Sequence, residues 1–181
     1  MKVKVTNAEI VSGNQIMSVI APAIADTATR FSIILLGKAV APVVESFDEA
    51  RQALVAKYIE ADDTGKPKRQ PILDDDGNSK RKPLLAANGE PVLDDNGDPK
   101  LGEVIYGDFA YKAAGDKERL EHEFTELQKM AIEVHITPIK VEKFVSVLDY
   151  DKLPPAFVDD VKGDKVLKFD VIQEILWMLE V

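Results

Sequence analysis

The sequence predicts an α+β fold: an antiparallel helical hairpin, a β-meander inserted at its tip, and a small sheet joining the N-terminal strand to strands at 132–141. Three observations carry that prediction. Two segments, 29–61 and 116–131, have matching apolar stripes at helical spacing. Between them one turn signature occurs three times: Asp75-Asp76-Gly77-Asn78, Ala87-Asn88-Gly89-Glu90 and Asp95-Asn96-Gly97-Asp98. Each follows a short apolar run ending in Leu73, Leu85 or Leu93, and Asp-Gly or Asn-Gly between such runs is a strong hairpin signal. The third observation is the alternation of apolar and polar residues at 2–5 and at 132–136, the period of a half-buried strand.

Taken in order, Lys2-Val3-Lys4-Val5 reads as the first strand. Thr6-Asn7-Ala8-Glu9 has the form of a capping box, so Thr6 should accept from the Glu9 amide while Glu9 reaches back. A helix through Ile10, Ile16, Met17 and Ile20 follows, and Pro22 opens another turn. The long helix 29–61 places Leu36, Val40, Val43, Phe47, Ala50, Leu54 and Tyr58 on one stripe, with Pro42 expected to kink or split it. Residues 66–112 form the insertion, ending in Val104-Ile105-Tyr106 and Phe109-Ala110-Tyr111. The helix from Asp116 to Ala131 aligns Leu120, Phe124 and Leu127, so Phe47, Leu54, Phe124 and Leu127 are the expected seam of the hairpin.

The strand at 132–136 is expected to pair with Val3 and Val5, with Ile139-Lys140-Val141 continuing or pairing in the same sheet. Leu153-Pro154-Pro155-Ala156 should start a short helix with Gly163 after its end. A last helix from about Asp170 to Glu180 should bury Ile172, Ile175, Leu176 and Leu179. The expected domains are a core made of 1–65 and 113–181 and an appendage of 66–112.

Composition bounds function. Hydrophobic residues make up 45% of the 181, enough for a core, and Cys is absent, which excludes disulfides, thiolate metal sites and Cys nucleophiles. Phe31 to Val44 is the longest apolar stretch, and Gly37, Lys38 and Pro42 interrupt it, so no membrane contact is expected. The N-terminal segment has no long apolar run of the signal-peptide kind. A net charge of −9 opposes binding to a phosphate backbone, so direct nucleic-acid binding is not expected. Two basic clusters, Lys66/Lys68/Arg69 and Lys80/Arg81/Lys82, read as solvated surface or as local contacts for a phosphate or an acidic partner.

No chemistry-bearing constellation stands out. His122-Glu123-Phe124-Thr125-Glu126 begins like a zincin helix, but Glu126 stands where the second His is required. Counting back from Gly77 or Gly97 places Ile72 or Val92 at the first position of a calcium loop, where Asp is needed. Phosphate-cradling and nucleophile-elbow glycine motifs are absent from the sequence, and His135 reads as structural. No enzyme, metal or cofactor is expected. The candidate interaction residues are Trp177, Met178, Tyr106, Tyr111, Leu85 and Leu93, Trp177 being read either as core or as an interface anchor.

Four stretches together resemble an uncharacterised family of small proteins of tailed bacteriophages. They are Lys2-Val3-Lys4-Val5-Thr6-Asn7-Ala8-Glu9-Ile10, Phe47-Asp48-Glu49-Ala50-Arg51 with Leu54 and Tyr58, Glu123-Phe124-Thr125-Glu126-Leu127, and Glu133-Val134-His135-Ile136 leading to Ile139. The resemblance covers about half the chain, and the 66–112 segment is longer than the family pattern. It implies a phage origin and no catalytic residues. Two functions are then expected. One is a structural or assembly protein (connector, tail component or chaperone) that contacts other phage proteins or itself as a homo-oligomer. The other is an inhibitor of a host protein acting through an acidic surface. The expected location is the host cytoplasm during infection, or the virion.

Overall fold

A computed structural model of the chain describes residues 2–86, 89–94 and 96–180. Ala87, Asn88 and Asp95 of the expected turns lie outside the described residues. In chain order the elements are β1 (Lys2–Thr6), α1 (Asn7–Ile20), α2 (Thr27–Tyr58), β2 (Arg69–Pro71), β3 (Arg81–Pro83), β4 (Leu101–Val104), β5 (Tyr106–Phe109) and α3 (Asp116–Lys129). They continue with β6 (Ala131–His135), β7 (Ile139–Lys140), α4 (Val141–Ser146), β8 (Val158–Val161), β9 (Asp164–Leu167), α5 (Phe169–Ile175) and β10 (Leu179–Glu180). The fold is α+β, with a helical hairpin and several small sheets. The chain divides into a core unit, Met1–Gln52 with His122–Val181, and an insertion unit, Ala53–Glu121. The insertion unit is thus wider on both sides than the 66–112 expected.

The core unit is closed by β1 pairing antiparallel with β6, in the register Val3↔Val134 and Val5↔Ile132. Valine alternation on β1 puts Val5 into the core and leaves Lys2 and Lys4 exposed. The capping box forms: the Glu9 amide donates to Thr6 Oγ1 at 3.3 Å, and the Thr6 amide donates to the Glu9 carboxylate at 2.7 Å. Asn7, buried although polar, donates through its side chain to the Leu127 carbonyl at 2.8 Å and through its amide to the Met130 carbonyl at 3.0 Å. It therefore satisfies carbonyls at the end of α3 that the helix cannot satisfy itself.

α1 lies against α5 around Gly13. A Cβ at that position would stand 2.9 Å from the Glu174 carbonyl oxygen and 2.8 Å from Met178 Cε. Only a glycine lets the two backbones approach this closely. Ile10, Ile20, Ile24, Val40, Phe144, Ile175 and Met178 form the fully buried centre. Asp26 caps α2, its carboxylate accepting from the Thr29 amide at 2.8 Å and the Thr29 hydroxyl at 2.6 Å.

α2 runs as one helix through Pro42, so of the two expected outcomes the split does not occur. The proline leaves one carbonyl without its helical partner, and packing of Leu36, Val40 and Phe47 on either side holds the helix. By length and composition α2 is apolar enough to cross a membrane, with a window of mean hydropathy 1.4 that is 22% buried. Of the expected seam, the Phe47 and Phe124 rings meet at 6.1 Å between centroids, Phe47 is buried, and Leu54, Phe124 and Leu127 are half-buried.

Four finer expectations are corrected. β7 does not continue the N-terminal sheet. It pairs parallel with β10, because Pro138 turns the chain away after β6. The short helix expected from Leu153-Pro154-Pro155-Ala156 forms only as a 3-10 turn over Pro155–Phe157, and residues 158–167 form a β-hairpin in place of its continuation. Its turn, Lys162-Gly163, takes φ of 58° and 91°, the left-handed pair of a type I′ turn, so Gly163 is a hairpin glycine and not a helix stop. The final helix stops at Ile175 and tightens into a 3-10 turn over Leu176–Met178. That change of pitch turns Leu176 outward and rotates Met178 into the centre, so Met178 is no surface contact.

Replacing Gly13 by Ala should destabilise the core unit although Ala favours a helix by about 1 kcal/mol, because the Glu174 backbone must move. Thr6→Ala should cost about 1 kcal/mol and Ile175→Ala about 2–5 kcal/mol. Urea unfolding of the three variants checks the order and, for Gly13→Ala, the sign.

Candidate functional site

The insertion unit is built differently from the core unit, from a repeat only part of which is visible as turns. Lys68-Arg69-Gln70-Pro71-Ile72-Leu73 and Lys80-Arg81-Lys82-Pro83-Leu84-Leu85 stand twelve residues apart and match at Lys, Arg, Pro and Leu. On the returning strand, Leu101-Gly102-Glu103-Val104 is followed by Tyr106-Gly107-Asp108-Phe109, five residues on. β2 pairs with β5 and β3 with β4, so the pairs are nested rather than consecutive, and the expected meander is a ladder with turns branching from it.

Backbone hydrogen bonds make the repeat explicit. The Glu60 amide donates to the Ala110 carbonyl, the Ala110 amide to Lys68 and the Lys68 amide back to Glu60, at 2.8, 2.9 and 2.8 Å. The same closed ring recurs from Ile72 to Ile105 to Lys80, and again from Leu84 to Lys100 to Val92. The outgoing chain advances by twelve residues per tier while the returning strand advances by five. Each ring satisfies its own three donors and acceptors, which lets a segment with little apolar burial hold a defined shape.

From the tiers branch turns bridged at Ala61↔Pro67, Leu73↔Ser79, Leu85↔Pro91 and Leu93↔Pro99. Gly65, Gly77, Gly89 and Gly97 take φ between 80° and 88°, while no described non-glycine residue of the insertion does. In the turns of Gly65 and Gly77 this is the three-residue loop with a glycine bulge, not the two-residue turn in which both residues need positive φ. Three of the loops are locked by an aspartate. The Oδ1 of Asp62 accepts from the Thr64 and Lys66 amides, that of Asp74 from Asp76 and Asn78, and that of Asp94 from Asn96 and Asp98. The Thr64 hydroxyl also donates to Asp62, and these bonds hold its carboxyl below the ordinary carboxylate value. The acidic turns therefore use these carboxylate oxygens to shape themselves.

The basic clusters line the ladder. The Arg69 guanidinium lies 4.9 Å from the centre of the Phe109 ring, Arg81 donates to the Gly102 carbonyl at 3.2 Å, and Lys68 pairs with Glu60 at 3.1 Å. Asp108 takes Lys117 Nζ at 2.7 Å, a bond that lowers the pKa of the aspartate and raises that of the lysine. Tyr111 is half-buried beside them, and desolvation first, then Asp108, raises its hydroxyl pKa.

Apolar side chains are left uncovered. Leu85, Leu93 and Tyr106 are 60%, 54% and 55% exposed, and Ile72, Leu73, Leu84 and Leu101 join them. Trp177 lies in the other unit, half-buried, with its indole N–H donating to the Glu9 carbonyl at 3.2 Å. It fastens α1 to the 3-10 turn after α5. The core unit also exposes Phe31, Ile34 and Leu35 on one side of α2. The twelve-residue match and the five-residue return were legible in the sequence, through Arg-x-Pro-x-Leu and x-Gly-acid-x. The turn glycines are the stronger local signal and overlie the longer period. His122 and His135 are exposed, and no group of three or more potential metal ligands occurs among the described residues.

No protein-family model, curated protein or solved structure matches this chain.

Two predictions follow from the tiers. Removing Lys80–Pro91 together with Leu101–Ile105 deletes one tier whole and should leave a folded chain, since Ile72, Val92 and Lys100 can then close a ring. Removing Lys80–Pro91 alone should unfold the insertion, as read by hydrogen exchange of the Lys68 and Ala110 amides. For Asp62, a lowered folded pKa means that its contribution is complete above the unfolded carboxylate range and is lost as the pH falls through the folded value. Protection of the Thr64 and Lys66 amides should fall across that window in the wild type and stay flat in Asp62→Asn.

Proposed function

We propose that this chain is a structural or assembly protein of a tailed-phage particle, working through protein–protein contacts. The observation that carries this reading is the insertion unit, a hydrogen-bonded ladder that presents seven large apolar side chains between 39% and 61% exposed. Large apolar side chains exposed in this number on one short segment are what an interaction surface would use. Among the described residues of that unit the buried apolar ones are Tyr58, Ile59 and Ala110, so its shape serves the surface rather than a core. The resemblance to small phage proteins supplies the setting, and its pieces lie mainly on the closed core unit that would carry the insertion.

Charge supports contact with protein over imitation of nucleic acid. Acidic and basic side chains are interleaved in ion pairs, such as Lys2–Glu133, Lys68–Glu60, Lys117–Asp108 and Lys165–Asp151. A mimic of a phosphate backbone needs one sign concentrated on a face.

Mass spectrometry of purified particles, with copy number, tests the reading. The expected result is a small fixed copy number per particle. Absence from particles and from assembly intermediates, together with capture of one host enzyme in infected cells, would replace it with host inhibition.

A further inference from the structure

The uncovered side chains of the insertion recur at equivalent places in successive tiers. Ile72 and Leu84 each close a ring, and each lies over a glycine of the returning strand: a Cβ on Gly107 would stand 3.2 Å from Ile72 Cγ1, and one on Gly102 2.9 Å from Leu84 Cδ2. Leu73 and Leu85 follow them at the mouths of the turns, and Leu93 opens the last turn in the same way. Leu101 and Tyr106 are equivalent on the returning strand. These seven are the exposed large apolar residues of the insertion unit. About half of each side chain is uncovered, and the tier-to-tier equivalents Leu73 and Leu85 recur at the same place in successive tiers. Repeat units that cannot bury their apolar positions alone bury them against a neighbour.

Charge says which neighbour. The first repeat runs basic, apolar, acidic: Lys68-Arg69, then Ile72-Leu73, then Asp74-Asp75-Asp76. The second runs Lys80-Arg81-Lys82, then Leu84-Leu85, with a single acid at Glu90, and the last turn follows Leu93 with Asp94 and Asp98. The stacking of Arg69 on Phe109 and the bond from Arg81 to Gly102 hold two of the basic groups on the ladder. Acidic turns and basic rungs separated by an apolar pair are complementary to the same pattern displaced along the ladder. A second copy of this chain has that period by construction.

We propose that the insertion is a self-association module: the Ile72-Leu73, Leu84-Leu85 and Leu93 positions dock on those of a second copy, with the acidic turns of each copy against the Lys/Arg rungs of the other. This names the first partner of the assembly reading and is tested apart from it.

The experiment is sedimentation of this 181-residue chain at low and high salt, beside the variant Leu73→Ser/Leu85→Ser/Leu93→Ser. The wild type should self-associate, more weakly in high salt, and the variant should raise the dissociation constant by ~100-fold or more. The chain has no cysteine, so one introduced thiol reports contact directly. Leu85→Cys should form an interchain disulfide under mild oxidation, while Phe169→Cys, 71% exposed in the core unit, should not. A monomeric wild type overturns the proposal, as does an oligomer that survives the triple substitution and cross-links through Phe169→Cys. A monomer found in particles would sink this inference and leave the assembly reading standing. An oligomer absent from particles would do the reverse.

Discussion

The core unit depends on one junction, where β1 gives way to α1. Thr6 ends the strand and caps the helix, and Asn7 reaches from the first turn of α1 to carbonyls at the end of α3. Through that junction residues more than a hundred apart in sequence share one short sheet, Val5 opposite Ile132. Closing so long a loop costs entropy that a two-stranded sheet alone does not offset. The buried amide bonds of Asn7 and the apolar cluster around Ile10, Ile20 and Ile175 do so together. Everything between α2 and α3 can then vary in length, because the junction does not use it.

That freedom accounts for an insertion built on another principle. The core unit is held by apolar burial, with glycine at position 13 allowing α1 and α5 to touch. The insertion is held by three rings of backbone hydrogen bonds and by aspartates that shape their own loops. Backbone bonding of this kind sets conformation with little help from side chains, so the side chains are left available for other surfaces. The cost is exposure of leucines that water disfavours.

Long-range features explain where sequence reasoning failed. The capping box, the seam aromatics Phe47 and Phe124, and the pairing of 2–6 with 131–135 were legible because they rest on local chemistry or on strict periodicity. Met178 was misplaced because the helix it was assigned to ends three residues earlier in a tighter turn. Gly163 was misread because one glycine suits both a helix stop and a type I′ turn. Only the pairing of Val158–Val161 with Asp164–Leu167 separates the two. Leu85, Leu93 and Tyr106, candidates in the sequence, are exposed, and so are Ile72, Leu73, Leu84 and Leu101, which the sequence does not single out because an apolar residue in a short strand looks like core until its neighbours are known.

By itself the sequence determined the local elements of this protein: where helices start, where turns bend, and which residues of the middle segment repeat. Capping, positive φ at glycine and apolar period act over a few residues and leave their mark in the order of the letters. Tertiary structure alone decided that the turns branch from a nested ladder, that α2 survives Pro42, and that β7 joins the end of the chain instead of its beginning. Those outcomes depend on which distant segment supplies the missing hydrogen bond or covers the apolar face. That choice is made by competition among partners in space, which no short window of sequence records.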